Sequence, residues 1–203
     1  MMMMLAAALL LQAAAPPPTT ALPAKPVASP AAVRIDVARM AALYDEVCLQ
    51  TFPIDTAVDA LMIHKQATPM TAAEVKVTLH DDPGRGWRMR AGDQVYDVVL
   101  ELPLFHACSV RTSDPMVATG DLAPYRAVAD AFVASHRGFV AGDPMDAARG
   151  GIKIHAEMQG RPLPGKLFEN LLVIEQKVVD AAQLEPGTVP SPLRFVHQIV
   201  TQN

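Results

Sequence analysis

From residue 34 the apolar positions recur at intervals of three and four. Val37, Met40, Tyr44, Val47 and Cys48 fall on one face, with Arg39, Asp45 and Glu46 mostly off it, which is the period of an amphipathic helix. Phe52-Pro53 ends that helix, because a residue before proline is pushed out of the helical region. Asp55 is placed to cap a second, shorter helix with Val58, Leu61 and Met62 turned inward, and Thr68-Pro69 stops it. Thr71-Ala72-Ala73-Glu74 has capping-box spacing and predicts a further helical turn. The period then drops to two. Val75, Val77 and Leu79 alternate with Lys76, Thr78 and His80, which predicts a half-buried strand over residues 75–80.

Asp81-Asp82-Pro83-Gly84-Arg85-Gly86 predicts a tight turn, with proline presetting it and two glycines supplying positive φ. Trp87 and Met89 alternate with Arg88 and Arg90, and Ala91-Gly92-Asp93-Gln94 reads as a second hairpin turn. Beyond it Tyr96, Val98, Leu100 and Leu102 share one face, while Val95, Asp97, Val99 and Glu101 take the other. Past Pro103, residues Leu104, His106, Cys108 and Val110 line up together. This half of the sheet reads as three antiparallel strands. Asp121 then caps a helix with Pro124 in its first turn, an apolar stripe of Leu122, Tyr125, Val128, Ala129 and Phe132, and Gly138 at its close. Alternation returns at Ile152, Ile154, Ala156 and Met158. A turn at Pro162-Leu163-Pro164-Gly165 leads to an apolar strand over 167–179, and a Pro/Gly-rich loop over 183–192 leads to a last strand over 193–200. The expected fold is α+β: an antiparallel sheet of about six strands, helices packed on one face, and one helix between two three-stranded halves.

The first residues follow a different rule. Residues 1–15 are apolar apart from Gln12, so residues 1–24 read as a signal peptide, 25–33 as a Pro/Ala-rich linker and 34–203 as a single domain. No cysteine in the leader offers an acylation site, which predicts a soluble periplasmic or secreted form. At 51% apolar and 19% charged residues the chain is globular, and a net charge of −4 speaks against a nucleic-acid partner. No apolar run reaches the ~20 residues of a membrane-spanning helix.

Candidate chemistry is sparse. Cys48 and Cys108 are the two cysteines, and in an oxidising compartment they predict one disulfide that pins the first helix to the sheet. The alternative makes Cys108 a nucleophile with His106 as its base, since residues two apart on a strand emerge on the same face. His80, His106, His155 and His197 all fall on predicted strands, but none has compact ligand spacing, and Phe195 and Ile199 flank His197 as they would an interior histidine. No metal is expected. The 81–86 turn lacks the oxygen spacing of a calcium loop and the Lys-Ser/Thr of a phosphate loop, so it reads as structural, with Arg85 pairing a turn aspartate and Trp87 covering the hairpin. Candidate ligand-binding residues are His80, Asp82, Arg85, Trp87 and His106. No nucleophile elbow, carboxylate pair or Gly-rich fingerprint appears, so neither catalytic residues nor a cofactor are assigned. The reading is a non-enzymatic binding or structural domain whose partner is an envelope protein or a small ligand. The alternative is an envelope hydrolase or metal-dependent enzyme using Cys108 and His106 or the strand histidines. A third reading offers residues 193–200 as a sheet edge for partner pairing.

Four blocks carry a resemblance: Cys48-Leu49-Gln50-Thr51-Phe52-Pro53, Asp81-Asp82-Pro83-Gly84-Arg85-Gly86-Trp87, Phe105-His106-Ala107-Cys108-Ser109-Val110-Arg111 and Phe195-Val196-His197-Gln198. Over residues 36–200 the chain resembles a family of uncharacterised exported proteins and lipoproteins of sphingomonad-type alphaproteobacteria. The resemblance implies an envelope location. It implies no activity, substrate or catalytic residue.

Overall fold

In the computed structural model, which describes residues 34–112, 114, 119–185 and 188–201, the first helix is α1, Val37–Tyr44. The leader and linker expected over residues 1–33 lie outside the described residues. Asp36 caps α1 by accepting a hydrogen bond from the Arg39 amide at 3.0 Å. The helix runs on as a π turn, Asp45–Leu49, closed by the Gln50 amide donating to the Asp45 carbonyl at 3.0 Å. The wider turn brings Val47, Cys48 and Leu49 into the interior together. Helix α2, Asp55–His64, has Ile54 at the cap position; Asp55 sits in its first turn instead of capping it.

The largest departure from the periodicity is at residues 75–80, which form helix α3, Ala72–Thr78, and not a strand. The capping box decides this. The Glu74 amide donates to the Thr71 hydroxyl (3.3 Å), and the Thr71 amide donates to the Glu74 carboxylate (2.8 Å). Val75 and Leu79, one turn apart, are buried against Val99, while Val77 is 45% exposed. A strand has to cover all three, and the helix has cover for two. The turn beyond α3 also differs, because positive φ falls on His80 (52°) and Asp81 (74°) and not on Gly84 or Gly86. Those glycines lie in strand β2, Gly84–Ala91, directly beneath α3. A Cβ on Gly84 would stand 2.3 Å from Leu79 Cδ1, and one on Gly86 would stand 2.5 Å from Met70 Sδ. Their role is close approach of the helix to the sheet.

Among the described residues nine strands, and not about six, form one antiparallel sheet. The others are β1 (Thr68–Pro69), β3 (Gln94–Glu101), β4 (Ala107–Thr112), β5 (Val140–Ala141), β6 (Met145–Arg149), β7 (Ile152–Leu163), β8 (Leu167–Val178) and β9 (Leu193–Thr201). Their order is β1-β2-β3-β4-β9-β8-β7-β5, with β6 also paired to β7. The unexpected strands are two residues long (β1, β5) or exposed throughout (β6), so no buried face gives them a period. Strand β4 starts at Ala107, which leaves Leu104 and His106 before it. Strand β9 is hydrogen-bonded on both sides, to β4 and β8, so residues 193–200 form a central strand and not an edge.

Helix α4, Ala123–Ser135, starts two residues after Asp121, whose side chain accepts from the Ala123 amide at 3.0 Å, with Leu122 at the cap position. Pro124 lies in its first turn. α1, its π turn and α4 share the main core with Tyr96, Val98, Leu100, Val110, Leu171 and Phe195. Tyr125 stacks on Phe195 at 4.3 Å between ring centres, and the Tyr44 hydroxyl donates to the Val196 carbonyl at 2.9 Å. Helix α3 packs on Val99, which alternates with Val98 and Leu100 and so faces the opposite way. The helices therefore lie on both faces of the sheet, not on one. No helix among the described residues is long and apolar enough to cross a membrane.

Cys48 and Cys108 form a disulfide across a sequence separation of 60, with their Cα atoms 5.4 Å apart. For a loop of that length the restriction of the unfolded chain is worth up to about 4 kcal/mol. Cys48→Ser is expected to lower Tm by about 5–15 °C in a thermal melt without reductant. An unchanged Tm would show that the bond does not carry this stability.

Candidate functional site: the open face of the sheet

Alternation along β4 and β9 sends their side chains into two environments. Cys108, Val110, Leu193, Phe195 and His197 face α1 and α4. Ala107, Ser109, Arg111, Arg194, Val196 and Gln198 face the other way, the side on which α3 lies. Register then builds a row across six strands on this second face: Arg88, Asp97, Arg111, Arg194, Ile174, Ala156. Three guanidiniums stand in it against one carboxylate. Asp97 is taken by Arg88, whose Nε donates to Oδ1 at 3.0 Å and whose Nη1 donates to Glu74 of α3 at 2.9 Å.

Arg111 and Arg194 stand directly opposite each other. As directly opposed residues on neighbouring strands their Cβ atoms are about 5 Å apart. Arg111 is only 6% exposed, and its Nη2 donates to the Val189 carbonyl at 3.2 Å. Nε of Arg111 and Nε of Arg194 have no partner among the described residues, and the same holds for Ser109 Oγ and Asn170 Oδ1 on this face. Burial pulls the Arg194 guanidinium down to about 10, with Arg111 adding repulsion and Glu101 opposing it. Arg111 is lowered as well, by burial first, with Asp97 opposing and Arg88 reinforcing. Burial in turn raises the Glu101 carboxyl, against the attraction of Arg194 and with help from Asp82.

The arginines floor a groove. One wall is the end of α3 with Val77, Thr78 and His80; the other is the β6–β7 turn from Arg149 to Ile154. Glu185 and residues 188–191 line one end, and this compartment holds about 440 Å³. A second compartment of about 290 Å³ continues past Arg194 over Val196, Leu172 and Ile174 towards Phe105. The two share Thr78, His80 and Arg194.

The sequence-derived candidates divide between the two faces. His80 and Asp82 line the groove. Arg85 faces α2, where Asp59 accepts two hydrogen bonds from it at 2.6 and 2.8 Å, so its partner is not a turn aspartate. Trp87 is buried in the main core instead of lying over the hairpin. His106 Nε2 lies 2.7 Å from Asp55 Oδ1, with the Phe52 ring edge-on at 4.6 Å. Cys108 is bonded through sulfur to Cys48, which removes it as a nucleophile and ends the Cys108–His106 reading. Of the four histidines expected on strands, His155 and His197 are on strands, while His80 follows α3 and His106 precedes β4. Among the described residues no three His, Cys, Asp or Glu side chains gather as metal ligands.

His197 is the interior histidine that its apolar neighbours indicate. Its Nδ1 lies 2.7 Å from the Cys48 carbonyl and its Nε2 2.7 Å from Glu169 Oε1, while Glu169 Oε2 accepts from Arg161 Nε. Burial works to raise the Glu169 carboxyl, but the hydrogen bonds from His197 and Arg161 outweigh it, and the net shift is downward. This cluster is sealed, and it ties the π turn to β8 and β9. Compared with known proteins, the chain matches no family model, no curated protein and no solved structure.

A carboxylate lowered in the folded state stabilises the fold above its unfolded value of about 4.3, and that contribution is lost as pH falls through the lowered folded value. Stability measured by urea unfolding is therefore expected to fall below about pH 4.3. Glu169→Gln should cost about 3 kcal/mol near neutrality and flatten that acid limb. An acid limb of the same steepness in the variant would assign it to other groups.

Proposed function

We propose that this chain is a non-enzymatic binding protein of the cell envelope, with the groove on the open face of its sheet as the ligand site. The observation that carries the reading is the Arg111–Arg194 pair: a buried and a half-buried cation side by side, whose buried Nε atoms lack partners among the described residues, at the foot of an open groove. Holding like charges side by side costs stability; Glu101 and Asp97 attract the pair from a distance, but among the described residues no carboxylate forms an ion pair with either arginine, and Asp97 is engaged by Arg88. An anionic ligand supplies the missing partner. Export is supported by the apolar leader and by a disulfide of the kind that persists in oxidising compartments. The family resemblance points to the same location.

The test compares stability with ligand response. Replacing a buried, unpaired charge by an apolar side chain of similar volume is neutral or stabilising, by about 1–4 kcal/mol. Arg194→Met is thus expected to hold or raise Tm in chloride buffer. It should also abolish the Tm increase that acetate or phosphate produces in the wild-type protein at matched ionic strength. A lower Tm in chloride together with an unchanged anion response would mark Arg194 as structural and sink the reading.

A further inference from the structure

Beyond Arg194 the strand floor of the groove carries Ile174, Leu172 and Val196, while Thr78, His80, Asp82 and Glu101 stand along its sides. We propose that its ligand is an amphiphilic monoanion, a carboxylate on an unbranched apolar chain, seated with its head between Arg111 and Arg194. The inference rests on the groove being the ligand site, and it adds the chemical class. Three features of that face support it.

The first is the shape of the donors. A guanidinium is a planar fork that meets a carboxylate through two parallel hydrogen bonds, and the Nε prong of each arginine is the unpaired atom. The second is charge. Arg88 engages Asp97, so Glu101 is the carboxylate left to act on Arg194, and two guanidiniums against one carboxylate leave a surplus that matches a single negative charge. A doubly charged head would meet the field of those two carboxylates. The third is the floor. Val196, Leu172 and Ile174 follow Arg194, Leu172 and Ile174 are only half-buried, and the compartment ends at Phe105, which is 50% exposed. From Arg194 to Gln198 the strand rises about 13 Å, room for an extended chain lying along β9.

Titration calorimetry on the full, disulfide-intact protein tests this with decanoate below its micelle concentration, acetate and 1-decanol. A fully buried methylene is worth about fourfold in affinity, so decanoate is expected to bind at least about a hundredfold more tightly than acetate. Decanol, without the charge-assisted bonds, should bind about tenfold more weakly than decanoate. Leu172→Asn is expected to weaken decanoate about tenfold by removing apolar contact while leaving acetate unchanged. Arg194→Met should reduce decanoate to the affinity of decanol. Equal affinities for acetate and decanoate, both lost in Arg194→Met, would overturn the amphiphile and leave the arginine groove standing. Decanoate binding that Arg194→Met does not weaken would overturn both.

Discussion

The distance between α1 and the sheet is set at one residue. Cys48 is bonded through its sulfur to Cys108 on β4 and through its carbonyl to His197 on β9, so one residue of the π turn is fixed to both central strands. His197 extends the attachment to Glu169 on β8, and Glu169 to Arg161 on β7. The chain of contacts crosses the sheet from β4 to β7. The register of β4, β9 and β8 is thereby held from the helix side, and register is what aligns the residues on the other side.

The two faces of the same strands thus have opposite electrostatic characters. On the helix side the buried charges are answered: Glu169 receives hydrogen bonds from a histidine and an arginine, and its carboxyl is held down accordingly. On the open side Arg111 and Arg194 face each other with their Nε atoms unanswered. A one-residue slip would exchange the faces and bury the arginines among the core aromatics. The sealed cluster therefore protects the placement of the open one. The groove also explains why His80 and Asp82 line a site while Arg85 and Trp87, a few residues on, do not: β2 alternation turns the latter two towards the helices.

Much of the architecture was legible in the sequence because burial writes a period. The α1 stripe, the capping box, the long strands β3, β7, β8 and β9 and the disulfide partners were all visible there. The strand expected at 75–80 was a genuine ambiguity, since Val75 and Leu79 satisfy a period of two and a period of four alike; the tie was broken by the Thr71–Glu74 cap immediately before them. Strands β1, β5 and β6 bury no face and leave no period. Arg111 was visible only as the end of an apolar run, and Arg194 as a lone charge opening the last strand. Their adjacency depends on β4 pairing with β9, two strands separated by some eighty residues, and no local signal encodes that pairing. A charged residue within each of two strongly apolar strands was the one available hint.

Gly84 and Gly86 carry a further consequence. Neither touches the groove floor, yet the missing side chains let α3 settle onto β2 until Leu79 and Met70 occupy the vacant Cβ positions. The height of α3 above the sheet is the height of one groove wall. These two glycines therefore act as a spacer of zero thickness, and related chains could alter the calibre of the site by a single methyl group beneath the helix, without changing any residue that a ligand meets.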